Sequence, residues 1–149
     1  MDHAERIALL GSGVYFLIGL LTGVWKYRAI MNSPTGQAHP YVDILHRAAL
    51  MYAFASVVVW KFAELSSLGR GVELAAVVAL EGYFGIAIAT YFVHALLKDT
   101  DNQLRVPFRL GTATLPRATI EVLMWSLIAA EVGGFVVLFY GAVIGLWTW

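Results

Sequence analysis

Residues 38–54 read AHPYVDILHRAALMYAF and hold His39, Asp43, His46 and Arg47 at the start of an apolar run. Ionisable side chains inside a membrane-spanning helix are rare and mark function by default. Asp43 and Arg47 stand four residues apart, the spacing at which helical side chains pair. His46 lies beside them, with Ala49 at i+3 and Ala53 at i+7 on its own face. Small residues above a histidine leave room for a flat macrocycle, and haem iron commonly takes a histidine ligand. The same pattern also suits a close helix contact in which His46 only hydrogen-bonds.

Further along, Glu81 and Glu131 fall near the middle of two other apolar segments. At ~1.5 Å per residue, Glu81 lies roughly 13 Å below one membrane boundary and Glu131 roughly 19 Å above the other. Buried that deeply, a carboxyl must be neutral or hydrogen-bonded, because desolvating its charge is costly. Each can serve as a proton relay, a metal ligand, a partner to a side chain of the second helix, or a neutral cross-link between helices. His94 sits at a depth similar to that of His46 and is a candidate second axial ligand. His39 precedes the helix, and His3 is terminal.

The elements that carry these residues follow from composition. The chain has 149 residues, 60% of them hydrophobic and 13% charged, and a mean hydropathy of +0.73. A spanning helix needs ~20 mostly apolar residues. Four windows qualify, at about 7–25, 41–63, 72–97 and 118–146, so the expected fold is an all-α, integral membrane four-helix bundle forming a single domain. The first window lacks a basic flank and a small-residue cleavage site, so it reads as a true helix and not a signal peptide.

Lys and Arg total 10, as do Asp and Glu, and cysteine is absent. The zero balance gives no electrostatic footprint for nucleic acid. The lack of cysteine removes disulfides and thiolate chemistry. Lys26, Arg28, Arg47, Lys98, Arg105, Arg109 and Arg117 cluster near the first and third loops, whereas Arg6, Lys61 and Arg70 lie at the other end. The positive-inside rule therefore puts loops 1 and 3 in the cytoplasm and both termini outside.

Gly19-x-x-x-Gly23 and Gly141-x-x-x-Gly145 are small-residue patterns that let backbones approach, inside one bundle or between copies. Pro40 suits the first turn of a helix. The second loop is short, which makes the second and third helices antiparallel neighbours. The third, about twenty residues with Pro107 and Pro116, is long enough to form a lid. Trp147-Thr148-Trp149 reads as an interfacial anchor. No H-E-x-x-H, no di-iron Glu-x-x-His pair and no phosphate loop is present. No serine has the His and Asp company of a hydrolase, and no repeat suggests a transporter.

Three short motifs resemble those of the small four-helix membrane isomerases typified by styrene oxide isomerase and hydroxylaminobenzene mutase. They are Gly19-Leu20-Leu21-Thr22-Gly23, His46 with Met51 five residues on, and Leu80-Glu81-Gly82-Tyr83. The resemblance implies a homotrimer that binds haem b near its subunit interfaces, with His46 as the axial metal ligand beside Ala49 and Ala53. It also implies a ferric iron acting as Lewis acid on an epoxide or hydroxylamine-type substrate that is small, hydrophobic and aromatic. Where the epoxide isomerases have Asn and Tyr, this chain has Tyr52 and Ala89. Tyr52 or Tyr91, with Glu81, then become the candidate catalytic residues. Two other readings stand beside this one: a haem b electron carrier using His46 with His94 or His39, and a cofactor-free structural membrane subunit.

Overall fold

A computed structural model describes residues 1–147. It contains four long helices, α1 (His3–Met31), α2 (Pro40–Leu65), α3 (Arg70–Leu97) and α4 (Arg117–Trp147), with a short hairpin of β1 (Arg109–Leu110) and β2 (Ala113–Thr114) before the last. All four helices are long and apolar enough to cross a membrane. The chain is thus an all-α four-helix bundle of the multi-pass membrane type.

α1 is longer at both ends than its apolar window suggests. Asp2 caps it through a reciprocal pair in which Asp2 Oδ1 accepts from the Glu5 amide (3.0 Å) and Glu5 Oε1 accepts from the Asp2 amide (3.2 Å). Such a box satisfies two of the orphan donors of a helix start. At the far end Lys26 reaches Asp43, which also pairs with Arg47 at 2.9 Å. Its 29 residues span about 44 Å, more than the ~30 Å hydrocarbon layer, so the last turns project beyond it.

α2 and α3 form the centre. α1 packs most extensively on α2, and α1 and α4 each dock on the α2–α3 pair. The core consists of Val42, Leu45, Val59, Val77, Leu80 and Leu138 together with small residues such as Ala49, all nearly or wholly sequestered. Leu10, Leu17, Leu21, Phe54, Trp125 and Val132 face outward. A soluble protein would not leave so much apolar surface open, whereas lipid satisfies it.

Both glycine pairs make close contacts within the chain. A Cβ on Gly19 would stand 2.5 Å from Leu50 of α2, and one on Gly141 would strike Ser66 and Leu68 of the second loop. The Ser67 amide donates to the Gly141 carbonyl at 3.2 Å, which ties that loop to α4. Trp147 ends α4 in an exposed position; Thr148 and Trp149, the rest of the expected anchor, lie outside the described residues.

The third loop folds back as a hairpin. Asp99 holds it, accepting from the Gly111 amide through Oδ2 (2.5 Å) and bonding His94 Nδ1 through Oδ1 (2.8 Å). Tyr41 Oη accepts from the Gln103 amide at 2.6 Å. Gly111 turns the hairpin at φ +61°, a backbone conformation natural to glycine.

Candidate functional site

His46 occupies a seat built by α1. Its Nδ1 lies 2.9 Å from the Gly19 carbonyl. A carbonyl only accepts, so Nδ1 carries a proton, and in the neutral ring Nε2 keeps its lone pair. Gly23 provides the space beside the ring, where a Cβ would come within 2.9 Å of His46 Cε1. The Gly19–Gly23 motif and His46 are therefore one structural unit. Anchoring one ring nitrogen on a carbonyl while leaving the other free is how proteins prepare histidine for a metal. The ring is half-buried, at the rim of the α1–α2 contact.

The residues expected to flank a cofactor do something else. Ala49 and Ala53 are 0% and 2% exposed and belong to the core. No shelf is open above them: their small size brings helices together, and the chain itself covers them. His46 thus fits a haem ligand by its nitrogen geometry, while Ala49 and Ala53 do not fit as cofactor contacts.

His94 is not aimed at His46. Its ring packs on Tyr41 with centroids 4.9 Å apart, and its Nδ1 is committed to Asp99. Tyr41 and His46 are about 140° apart around α2, taking ~100° per residue. His39 caps α2, its Nδ1 accepting from the Tyr41 amide at 3.3 Å. One chain therefore does not bring two histidines to a common axial pair.

Two polar centres lie near the middle of the bundle. In the first, Glu81 of α3 is 5% exposed and its Oε2 is 2.9 Å from Ser56 Oγ of α2. Ser56 Oγ also lies 2.9 Å from the Tyr52 carbonyl. A hydroxyl has one proton, and a carbonyl can only accept. The one Ser56 proton can go to Tyr52 or to Glu81; where it goes to Tyr52, Glu81 must be a neutral carboxylic acid that donates to Ser56 Oγ. Glu81 Oε1 has no hydrogen-bond partner, tolerable for the carbonyl oxygen of an acid and far costlier for a carboxylate. Tyr15 of α1 donates to the Glu81 main-chain carbonyl at 2.5 Å. Of the roles open to Glu81, the contacts match that of a neutral cross-link.

The second centre joins Tyr52 of α2 and Glu131 of α4. Tyr52 Oη points at Glu131 Oε1 across 3.5 Å, and its ring stacks on Phe84 at 4.5 Å. Tyr91 lies close enough to both to interact electrostatically. Glu131 borders a groove of about 450 Å³ walled by Val59, Leu80, Phe84 and Phe135. The structure thus sets one candidate tyrosine, Tyr52, against Glu131, a carboxyl that lies outside the three resembling motifs. Its mid-helix position in α4 was the only sequence signal for it. An apolar slot with a few convergent polar groups is the usual form of a small-molecule site.

No protein-family model, no curated protein and no solved structure matches the chain.

Proposed function

We propose that this chain is a membrane isomerase for a small, hydrophobic, aromatic epoxide or hydroxylamine-type substrate, using haem b held by His46. The observation that carries the reading is the His46 seat: Nδ1 fixed on the Gly19 carbonyl, Nε2 free, and the ring at a half-open rim. When bound, haem supplies a ferric Lewis acid that polarises a substrate oxygen without net redox change.

The chain's own contribution lies in the groove. Phe84 and Phe135 offer faces to an aromatic body, and the apolar walls keep water from a substrate whose charge is developing. Tyr52, whose hydroxyl donates to Glu131 at the edge of the groove, can turn that one proton to a substrate oxygen on which negative charge grows. Isomerisation needs no oxidant or reductant, so the groove has only to bind, orient and exclude water. His46 and Tyr52 are about 120° apart around α2 and ~9 Å apart along it. The reading therefore requires an oligomer, a homotrimer by the resemblance, in which His46 of one copy meets the groove of the next. The charge distribution supports a cell-membrane orientation with both termini outside.

The test is an absorption spectrum of detergent-purified protein, oxidised and reduced, beside His46→Ala. A Soret band lost in the variant is expected, with an open-sided, ligand-accepting iron and turnover of an aryl epoxide that falls in Tyr52→Phe at unchanged haem content. A colourless wild type after haem supplementation removes the haem reading. Low-spin iron with both axial sites filled favours an electron carrier.

A further inference from the structure

A second cavity, separate from His46 and from the Tyr52–Glu131 groove, lies under the hairpin. It measures about 370 Å³ and runs between α3 and α4 from Ile86 to His94, roofed by Leu110 and Leu115, with Arg109 at its mouth. Eight residues of α3 separate its two ends, a length of ~12 Å. Its floor is apolar and lies within the membrane span. Its upper end is polar.

The polar end is built. His94 is 6% exposed, with Nδ1 bonded to Asp99 Oδ1 at 2.8 Å; Asp99 is held in turn by the Gly111 amide at 2.5 Å. This grip fixes the ring and leaves Nε2 as the polar atom His94 can offer to the cavity it lines. The charge pattern is equally specific. Arg105 pairs with Asp101 and Arg117 with Glu121, but Arg109 has no ion-pair partner among the described residues. The site thus joins an apolar slot to an uncompensated guanidinium and a carboxylate-backed imidazole. The guanidinium favours an anion, and its fork matches a carboxylate.

We propose that this cavity binds a free single-chain amphiphile with a carboxylate head, its head on Arg109 and its body along α3 and α4. A phospholipid offers a related anionic head, but two acyl chains of leaflet length, ~15 Å each, exceed a slot of about 370 Å³ that is ~12 Å long. Hydrogen bonds to charged groups make the carboxylate the main determinant of affinity, with the apolar body adding to it.

The test uses the full chain in nanodiscs of neutral lipid, titrated with dodecanoate and, separately, with dodecanol, binding being read by native mass spectrometry. Saturable binding of one dodecanoate per chain is expected, at least ~10-fold tighter than dodecanol. Arg109→Gln, on the exposed hairpin, should weaken dodecanoate ~10-fold and leave dodecanol unchanged. Ala89→Trp should weaken both by filling the floor; Thr90→Phe does the same should the first variant fold poorly. Equal affinity for acid and alcohol, or full binding in both Arg109→Gln and the floor variant, overturns the proposal. So does displacement of dodecanoate by phosphatidylglycerol added to the discs, which would make a lipid phosphate the occupant.

Discussion

Ser56 and Glu81 offer the sharpest test of how this bundle is held together, because the proton count fixes the sign of each substitution. Ser56 is fully buried, its hydroxyl 2.9 Å from the Tyr52 carbonyl and 2.9 Å from Glu81 Oε2. With Glu81 neutral, Glu81→Gln keeps a donor, now an amide N–H, aimed at the serine oxygen in a side chain of the same size. It should cost less than ~1 kcal/mol, the net worth of one hydrogen bond. Ser56→Ala strands the Glu81 proton in the core and should cost ~1–3 kcal/mol, the penalty of an unsatisfied buried donor. Glu81→Ala also opens a cavity, raising the loss to ~2–5 kcal/mol. In Glu81→Leu the Ser56 proton still reaches Tyr52, so the double variant Ser56→Ala/Glu81→Leu should fall short of the sum of its singles. Unfolding by SDS titration in mixed micelles measures all five. Infrared spectroscopy at neutral pH adds a direct readout, a protonated carboxyl band that disappears in Glu81→Gln. Glu81→Gln as damaging as Glu81→Ala, or no such band in the wild type, refutes the assignment.

Other expectations follow from the same coordinates. Gly23→Ala puts a methyl 2.9 Å from His46 Cε1 and should tilt the ring; under the proposed haem function it should therefore reduce Soret absorbance per chain well below wild type while α-helical circular dichroism is kept. Lys98 closes α3 in the left-handed region at φ 51°; Lys98→Gly should raise stability by about 1 kcal/mol in the same SDS titration. Burial raises the Asp99 carboxyl, but the hydrogen bonds from His94 and the Gly111 amide outweigh this and hold it below the usual range. That contribution is complete above the unfolded value of ~3.9 and is lost as pH falls through the lower folded value. Gly111 amide exchange, corrected for its intrinsic rate, should therefore accelerate only at acidic pH, and a hairpin equally protected there would contradict the clamp. Burial and then Lys98 lower the His39 imidazole, so its cap is complete above the unfolded value of ~6.5 and weakens as pH falls towards the folded one. His39→Ser should remove that part of the pH dependence, measured by SDS titration across that range.

The number, order and approximate limits of the helices were legible in the chain because lipid imposes one rule on every segment. A stretch of ~20 apolar residues must be helical to satisfy its backbone, and Pro40, the second loop's glycines and the polar third loop mark where each stretch ends. The Asp43–Arg47 pair was legible too, since helical spacing is local. What the sequence did not determine was which face of each helix meets which neighbour. A periodic pattern distinguishes inside from outside in water, but in a membrane both faces are apolar and the contrast fades. Only packing sent Ala49 and Ala53 into the core, turned His46 onto Gly19, gave His94 to Asp99 across the end of α3, and brought Glu131 to Tyr52 from 79 residues away. Each of these contacts depends on the angle at which two helices cross, and that angle is set by all the side chains along their shared seam.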